Sequence, residues 1–167
     1  MTIQEFIDKY IGLNGIDFDG AYGKQCVDLF RAYHRDMIGG TQARGVKGAK
    51  DFWSNYETDP ALNKNYKKIV NTLDFVPIPG DVMIWSNGEF GHIAIVTKKG
   101  NLKNFESIDQ NWKNKRQIAI VTHTYGYVYG VLRPNDIIES GNNPDMPTDI
   151  RLKILDESGI KSESQDR

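Results

Sequence analysis

Apolar residues recur at helical spacing at the start of the chain and at every second position through its middle. Ile3, Phe6, Ile7 and Tyr10 lie on one face of a helix over about residues 2–11, and Thr2 with Glu5 makes a capping-box pattern at its start. Gly12, Asn14 and Gly15 end it. Val27, Leu29, Phe30, Tyr33 and Met37 give a second helix from about Gln25 to Ile38, stopped by Gly39 and Gly40. Phe52, Trp53 and Tyr56 mark a short third helix over 47–56. Beyond Pro60 the period changes. Lys68–Val70 is a short strand candidate. After Pro77 and Pro79, the segments Val82–Trp85, His92–Lys98, Phe105–Asn111, Gln117–His123 and Tyr127–Arg133 read as strands joined by short turns. Helices followed by an antiparallel sheet of about five strands make an α+β fold, not alternating β–α units. Pro134 closes the sheet. Residues 140–147 read as a linker, and 148–158 as a short amphipathic helix using Ile150, Ile154 and Leu155 ahead of a polar tail.

Composition narrows the classes. With 167 residues and 39% hydrophobic content, the chain can bury a core without staples. No apolar run approaches the roughly 20 residues of a membrane helix, so no membrane insertion is expected. The start lacks the basic and apolar regions of a signal peptide. A single cysteine excludes an internal disulfide and argues against a thiolate zinc site. Net charge is −1, which does not suggest nucleic acid as a partner. The charge is uneven: residues 1–134 carry seventeen bases against fourteen acids, and residues 135–167 carry four against eight. The body is thus suited to an anionic partner. A monomer is expected.

The densest chemistry lies between Asp17 and Asp28. With Asp17 as position 1, Asp19 is position 3, Ala21 is 5, Gly23 is 7 and Asp28 is 12, the ligand spacing of an EF-hand-like calcium loop. Asp17, Asp19 and Asp28 offer carboxylates, and Ala21 and Gly23 only carbonyls. Three such carboxylates repel one another unless a cation lies among them, and an all-oxygen set suits Ca²⁺. Two departures stand out. Tyr22 replaces the usual glycine at position 6, and position 12 is Asp instead of Glu. The competing reading is a turn with capping aspartates.

Cys26 follows where the loop enters the second helix, and the helix N-terminus there favours a thiolate. A nucleophile needs a base. Of three histidines, His34 is expected as a partly exposed helix residue and His123, between Thr122 and Thr124, as a surface residue. His92 follows Gly91 at the start of HIAIV and shares a strand face with Ala94 and Val96. An orienting group belongs on a neighbouring strand. Asp109 and Asn111 share one face if the strand is regular, with Glu106 on the other, and either could accept the ring N–H. Gln25 is a candidate oxyanion donor beside the Cys26 N–H. Tyr22, Trp85 and Trp112 are candidates for lining a substrate cleft, against core as the usual place of a tryptophan.

At the motifs DFDGAYGKQCVDL, PGDVMIWS, GHIAIV, IDQNW and GVLRP the sequence resembles the CHAP family, the cysteine- and histidine-dependent amidohydrolases/peptidases of the papain-like superfamily. The likeness runs through about residues 1–134 and is greatest to domains of bacteriophage endolysins and tail-associated lysins. It implies a papain-like CHAP fold with N-terminal helices packed on the sheet. Cys26 matches the family nucleophile and His92 its base. Asp109 stands where the family commonly has Glu, and Asn111 matches the asparagine of the same motif. Several phage members carry Ca²⁺ at the positions of Asp17, Asp19, Ala21, Gly23 and Asp28. The implied substrate is bacterial peptidoglycan, cut at N-acetylmuramoyl-L-alanine or within the stem or cross-bridge peptide. The implied protein is made in the cytoplasm of an infected bacterium and acts on the wall. Residues 135–167 are then a linker and acidic tail. The alternative is a calcium-bound, non-catalytic module on the same fold that binds the wall or another partner.

Overall fold

The capping box at the start of the chain forms as its spacing requires. Thr2 Oγ1 accepts from the Glu5 amide at 3.2 Å and Glu5 Oε2 from the Thr2 amide at 2.7 Å. Helix α1 (Ile3–Tyr10) begins there and buries Phe6 and Tyr10. These coordinates are a computed structural model that describes residues 1–136. The linker and helix expected within 140–158 lie outside the described residues.

Helix α2 (Cys26–Tyr33) buries Leu29, Phe30, Ala32 and Tyr33. It is shorter than the expected 25–38 because the last turn, His34–Ile38, widens until the Gly39 N–H bonds the His34 carbonyl at 2.7 Å. His34 is fully buried, not partly exposed. Its Nε2–H donates to the Thr41 carbonyl at 3.0 Å, and its Nδ1 accepts from Tyr66 OH at 2.9 Å. Burial holds its pKa below the usual imidazole value. Helix α3 covers only Asp51–Ser54 of the expected 47–56. Helix α4 (Pro60–Asn65) was not legible as a periodic segment. Asp59 caps it by accepting from the Ala61 amide at 2.9 Å, and Pro60 takes the first position, where its missing N–H costs nothing.

Among the described residues the sheet is antiparallel, as expected, and has six strands. These are β1 (Tyr66–Val70), β2 (Val82–Trp85), β3 (His92–Lys98), β4 (Phe105–Asp109), β5 (Ala119–His123) and β6 (Val128–Pro134), in the order β1-β6-β2-β3-β4-β5. Strand β1 is the fragment read at Lys68–Val70. It lengthens to Tyr66 by pairing with β6, from Tyr66 opposite Pro134 to Val70 opposite Gly130.

Period-two alternation sorts the strand residues onto two faces. Val82, Ile84, Ile93, Ile95, Ile108 and Leu132 join Phe6, Leu29, Phe30 and Phe52 in the core under the helices. Met83, Trp85, Ala94, Val96, Phe105 and Val131 form a second apolar cluster on the other face. Each Val, Leu, Ile, Met or Phe side chain among these contributes about 1.5–3 kcal/mol on full burial. The turn ahead of β2 is tied to both layers. Tyr33 OH donates to the Gly80 carbonyl at 2.8 Å, and Arg133 donates through Nε and Nη2 to the two Asp81 oxygens at 2.7 and 2.8 Å. Among the described residues, no helix is long and apolar enough to cross a membrane.

Candidate active site

Cys26 is the first residue of α2, and its position is fixed by what precedes and follows it. Gln25 is the N-cap with extended backbone. Asp28, one turn into the helix, accepts from the Gln25 amide at 2.7 Å and from the Phe18 amide at 2.9 Å. The helix start and the loop before it are therefore joined through one buried carboxylate. The sulfur is half-buried at the positive end of the helix.

His92 opens β3 opposite Trp85. Gly91 before it has φ +68, and a Cβ there would come within 2.3 Å of the Trp85 carbonyl and 2.6 Å of Lys50 Cβ. The close approach that the glycine permits is thus from the chain entering α3. His92 Nε2 lies 2.8 Å from Asp109 Oδ2. The Cys26 thiol is the other side chain that favours the protonated ring. Burial works to lower the His92 pKa, but Asp109 and Cys26 outweigh it and push the ring up to about 9. Burial likewise works to raise Asp109. The bonds from His123 and His92 overcome it and hold the carboxyl below its ordinary range.

Asp109, not Asn111, meets the imidazole. The strand ends at Asp109, and Asn111 has φ +61, so the two do not share a face. Asn111 Nδ2 instead donates to Gln25 Oε1 at 2.9 Å, while Asn111 Oδ1 is buried without a partner. Gln25 Nε2 donates to the Tyr22 carbonyl at 2.8 Å, which uses one of its two N–H groups. Glu106 points away from the site, as alternation predicts, to Lys98 and Thr97. Trp85 is only 2% exposed. It backs the histidine from within the sheet and does not line a cleft. Tyr22 is 93% exposed within the loop, and the half-buried Trp112 ring is 5.0 Å from that of His92.

Two residues here escaped the sequence reading. His123 is not on the surface: it is 5% exposed, and its Nε2 lies 3.0 Å from Asp109 Oδ2. The missed signal was the alternation Ala119, Val121, His123, which places the ring on the Asp109 side of the β4–β5 ladder, where His123 pairs with Phe105. Gln110 is fully buried in the middle of the quoted IDQNW motif. Its Oε1 accepts from the Ile16 amide at 2.8 Å, and its Nε2 donates to the Ile16 and Gln25 carbonyls, each at 2.7 Å. One amide side chain thus closes both ends of the 17–25 segment onto the end of β4.

Within that segment, one carboxylate oxygen from each of Asp17, Asp19 and Asp28 lies within 4.8 Å of the others. Asp17 Oδ1 and Asp19 Oδ1 also accept the Gly20 and Ala21 amides at 2.8 and 2.9 Å. Burial raises the Asp28 pKa; its two backbone hydrogen bonds lower it, and the Asp19 and Asp17 charges raise it further. A cation among them would offset that repulsion, and an all-oxygen donor set of this kind fits Ca²⁺.

A family model described as CHAP domain matches residues 15–111. Endolysin PlyTW of Staphylococcus phage Twort is 37% identical over 138 residues, covering 75% of this chain and 28% of that protein. Endolysin LysK of Staphylococcus phage K is 30% identical over 125 residues, covering 71% of this chain and 24% of that protein. The crystal structure of the wild-type endolysin LysIME-EF1 superposes with a TM-score of 0.61 at 28% identity, covering 80% of this chain and 64% of that one. The chain therefore spans about a quarter of the length of the two curated relatives.

Proposed function

This chain belongs to the CHAP domain family, and we propose that it is a calcium-supported cysteine hydrolase that cuts an amide bond of bacterial peptidoglycan. The observation that carries the reading is the buried His92–Asp109 pair, with Cys26 at the start of α2 among the groups that raise the imidazole pKa. Relatives bearing the name endolysin support a wall substrate. In this reading the catalytic unit is residues 1–134. The protein is made in the cytoplasm of an infected bacterium and works on the wall.

The proposed steps use groups already placed. His92 Nδ1 takes the Cys26 proton, and Asp109 stabilises the imidazolium. The sulfur attacks the amide carbon and the C=O electrons move to oxygen. The Cys26 N–H and the second Nε2–H of Gln25 are the donors for that oxyanion. The C–N bond then breaks, and His92 gives its proton to the departing amine. Water, relieved of a proton by His92, releases the acyl group from sulfur. Asp17, Asp19 and Asp28, with the Ala21 and Gly23 carbonyls, would hold the ion. When bound, Ca²⁺ supplies the positive charge that fixes the loop leading to Gln25.

Purified bacterial walls lose turbidity in the presence of the protein, and mass spectrometry of the released fragments identifies the bond cut. Walls that bind the protein yet release nothing would leave the non-catalytic module as the better reading. For the metal, calorimetry on chelator-treated protein shows heat on adding Ca²⁺, and the melting temperature rises. Asp19→Ala abolishes both responses, and their absence in the parent protein would remove Ca²⁺ from the proposal.

The raised imidazole pKa sets an alkaline limit. The reaction needs a proton on His92 for the departing amine, and that proton is retained below about 9. Turnover therefore falls as pH rises through that value. The same shift contributes to folding stability, fully below the unfolded histidine value of ~6.5 and lost as pH rises through the folded one. A rate profile still rising well above pH 9 would separate the proton donor from His92.

A further inference from the structure

The steps above leave His123, a buried histidine at the site, without a role. Asp109 carries three side-chain donors. Oδ2 faces His92 Nε2 at 2.8 Å and His123 Nε2 at 3.0 Å, and Oδ1 accepts from Ser107 Oγ at 2.5 Å. An ionised carboxylate only accepts, so both Nε2 atoms carry hydrogen. That fixes hydrogen on Nε2 of both rings and leaves Nδ1 of His92 as the nitrogen open to the thiol in the reaction proposed above. The same two tryptophans hold the two imidazoles. Trp85 lies 5.1 Å from the His92 ring and 4.8 Å from the His123 ring, and Trp112 lies 5.0 and 4.5 Å from them. Phe105 stacks on His123 from the paired strand at 5.4 Å.

We propose that His123 is a positioning residue for His92: its ring N–H is the second clamp on Asp109 Oδ2, and it fixes the direction in which the carboxylate holds the catalytic imidazole. The inference rests on the Cys26–His92 reading given above. With only His92 and Ser107 as donors, the carboxylate of a short aspartate side chain can turn about its last bond and carry the His92 hydrogen bond with it. With His123 in place, any such turn breaks a buried charge-assisted bond. The effect falls on the orientation of the imidazole toward the sulfur, and so on turnover; the residues that meet substrate are left in place.

The test uses the full chain with Ca²⁺ on purified bacterial cell walls, with Cys26→Ala run in parallel. His123→Phe keeps the aromatic box but removes the donor. It lowers kcat by about 10²-fold, the scale of a 1 Å misplacement, with KM within about twofold. His123→Gln, whose amide nitrogen reaches the position of the ring Nε2, recovers most of that loss; His123→Asn, equally polar but shorter, does not. The Gln and Asn pair carries the same contrast if the Phe variant fails to fold. Nitrogen-15 spectra of the imidazoles show both rings as Nε2–H in the parent protein, and faster water exchange of the His92 proton in the Asn variant. A parent-like kcat in His123→Phe, or equal loss in the Gln and Asn variants, overturns the proposal. With Cys26→Ala inactive, such a result overturns it alone. Undiminished digestion by Cys26→Ala overturns the cysteine reading and this inference with it.

Discussion

Cys26→Ala lowers the rate of wall clearing by at least about 10⁴-fold while the melting temperature stays within a few degrees of the parent. The size follows from the proposed role, because removing a nucleophile stops the covalent route and leaves only what binding and the oxyanion donors supply. The small effect on stability follows from the position. Cys26 is half-buried in the first turn of α2, and alanine is a better helix former. Cys26→Ser keeps the size of the side chain but offers a hydroxyl that stays protonated beside an imidazole, so it too is nearly inactive. His92→Ala falls to a similar level. The double variant is no worse than either single one, since the two groups act as a unit. The measurement is turbidity clearing of purified walls at fixed Ca²⁺, with thermal unfolding alongside. A tenth or more of parent activity in Cys26→Ala would end the cysteine mechanism.

What the sequence revealed about this site divides along a physical line. Groups brought together by local pattern were the easier to read. Spacing along one loop puts Asp17, Asp19 and Asp28 together, and one carboxylate oxygen from each does lie within 4.8 Å of the others; the Ala21 and Gly23 carbonyls belong to the proposed ligand set by the same spacing. Cys26 at a helix start and His92 after a glycine are likewise local signals. Groups fixed by strand pairing were not. His123, between two threonines, resembles surface until the register of β5 against β4 turns its ring toward Asp109. His34 looked exposed for a similar reason: its partner, Tyr66 OH, lies on a distant strand. Asn111 was placed on the Asp109 face by assuming a regular strand, and one left-handed residue cancels that assumption. The fold followed the same rule. The α+β order and most strand positions came from period alone, whereas the full length of β1 depended on its pairing with β6. The family likeness pointed to Asp109 and Asn111 together; geometry separated an acid that holds the imidazole from an amide that holds Gln25.

Arg133→Met lowers folding stability by about 3–5 kcal/mol, the range for removing one partner of a buried ion pair. Arg133 and Asp81 belong to two of the motifs quoted from the sequence, GVLRP and PGDVMIWS, and neither touches the candidate site. Asp81 is fully buried, and Arg133 grips both of its oxygens at 2.7 and 2.8 Å. Its Oδ2 also accepts from the Ile78 amide at 2.9 Å. Burial raises the Asp81 pKa and Arg133 pulls it back only in part, so the carboxylate depends on that guanidinium for its charge. Methionine keeps much of the apolar volume of the arginine stem and removes the charge. Asp81 is then a lone buried anion that must either take up a proton or admit water. For a chain of this size the loss lowers the melting temperature by roughly 10 °C. Asp81→Asn added to Arg133→Met removes the stranded charge and keeps an acceptor for the Ile78 amide. The double variant therefore recovers at least ~1 kcal/mol of the loss, the typical worth of one satisfied buried hydrogen bond. Urea unfolding of the parent, the single variants and the double variant gives the coupling directly. Strictly additive losses would show that the two side chains do not depend on each other, and the turn that leads into β2 would then owe its placement to Tyr33 and the Gly80 carbonyl instead.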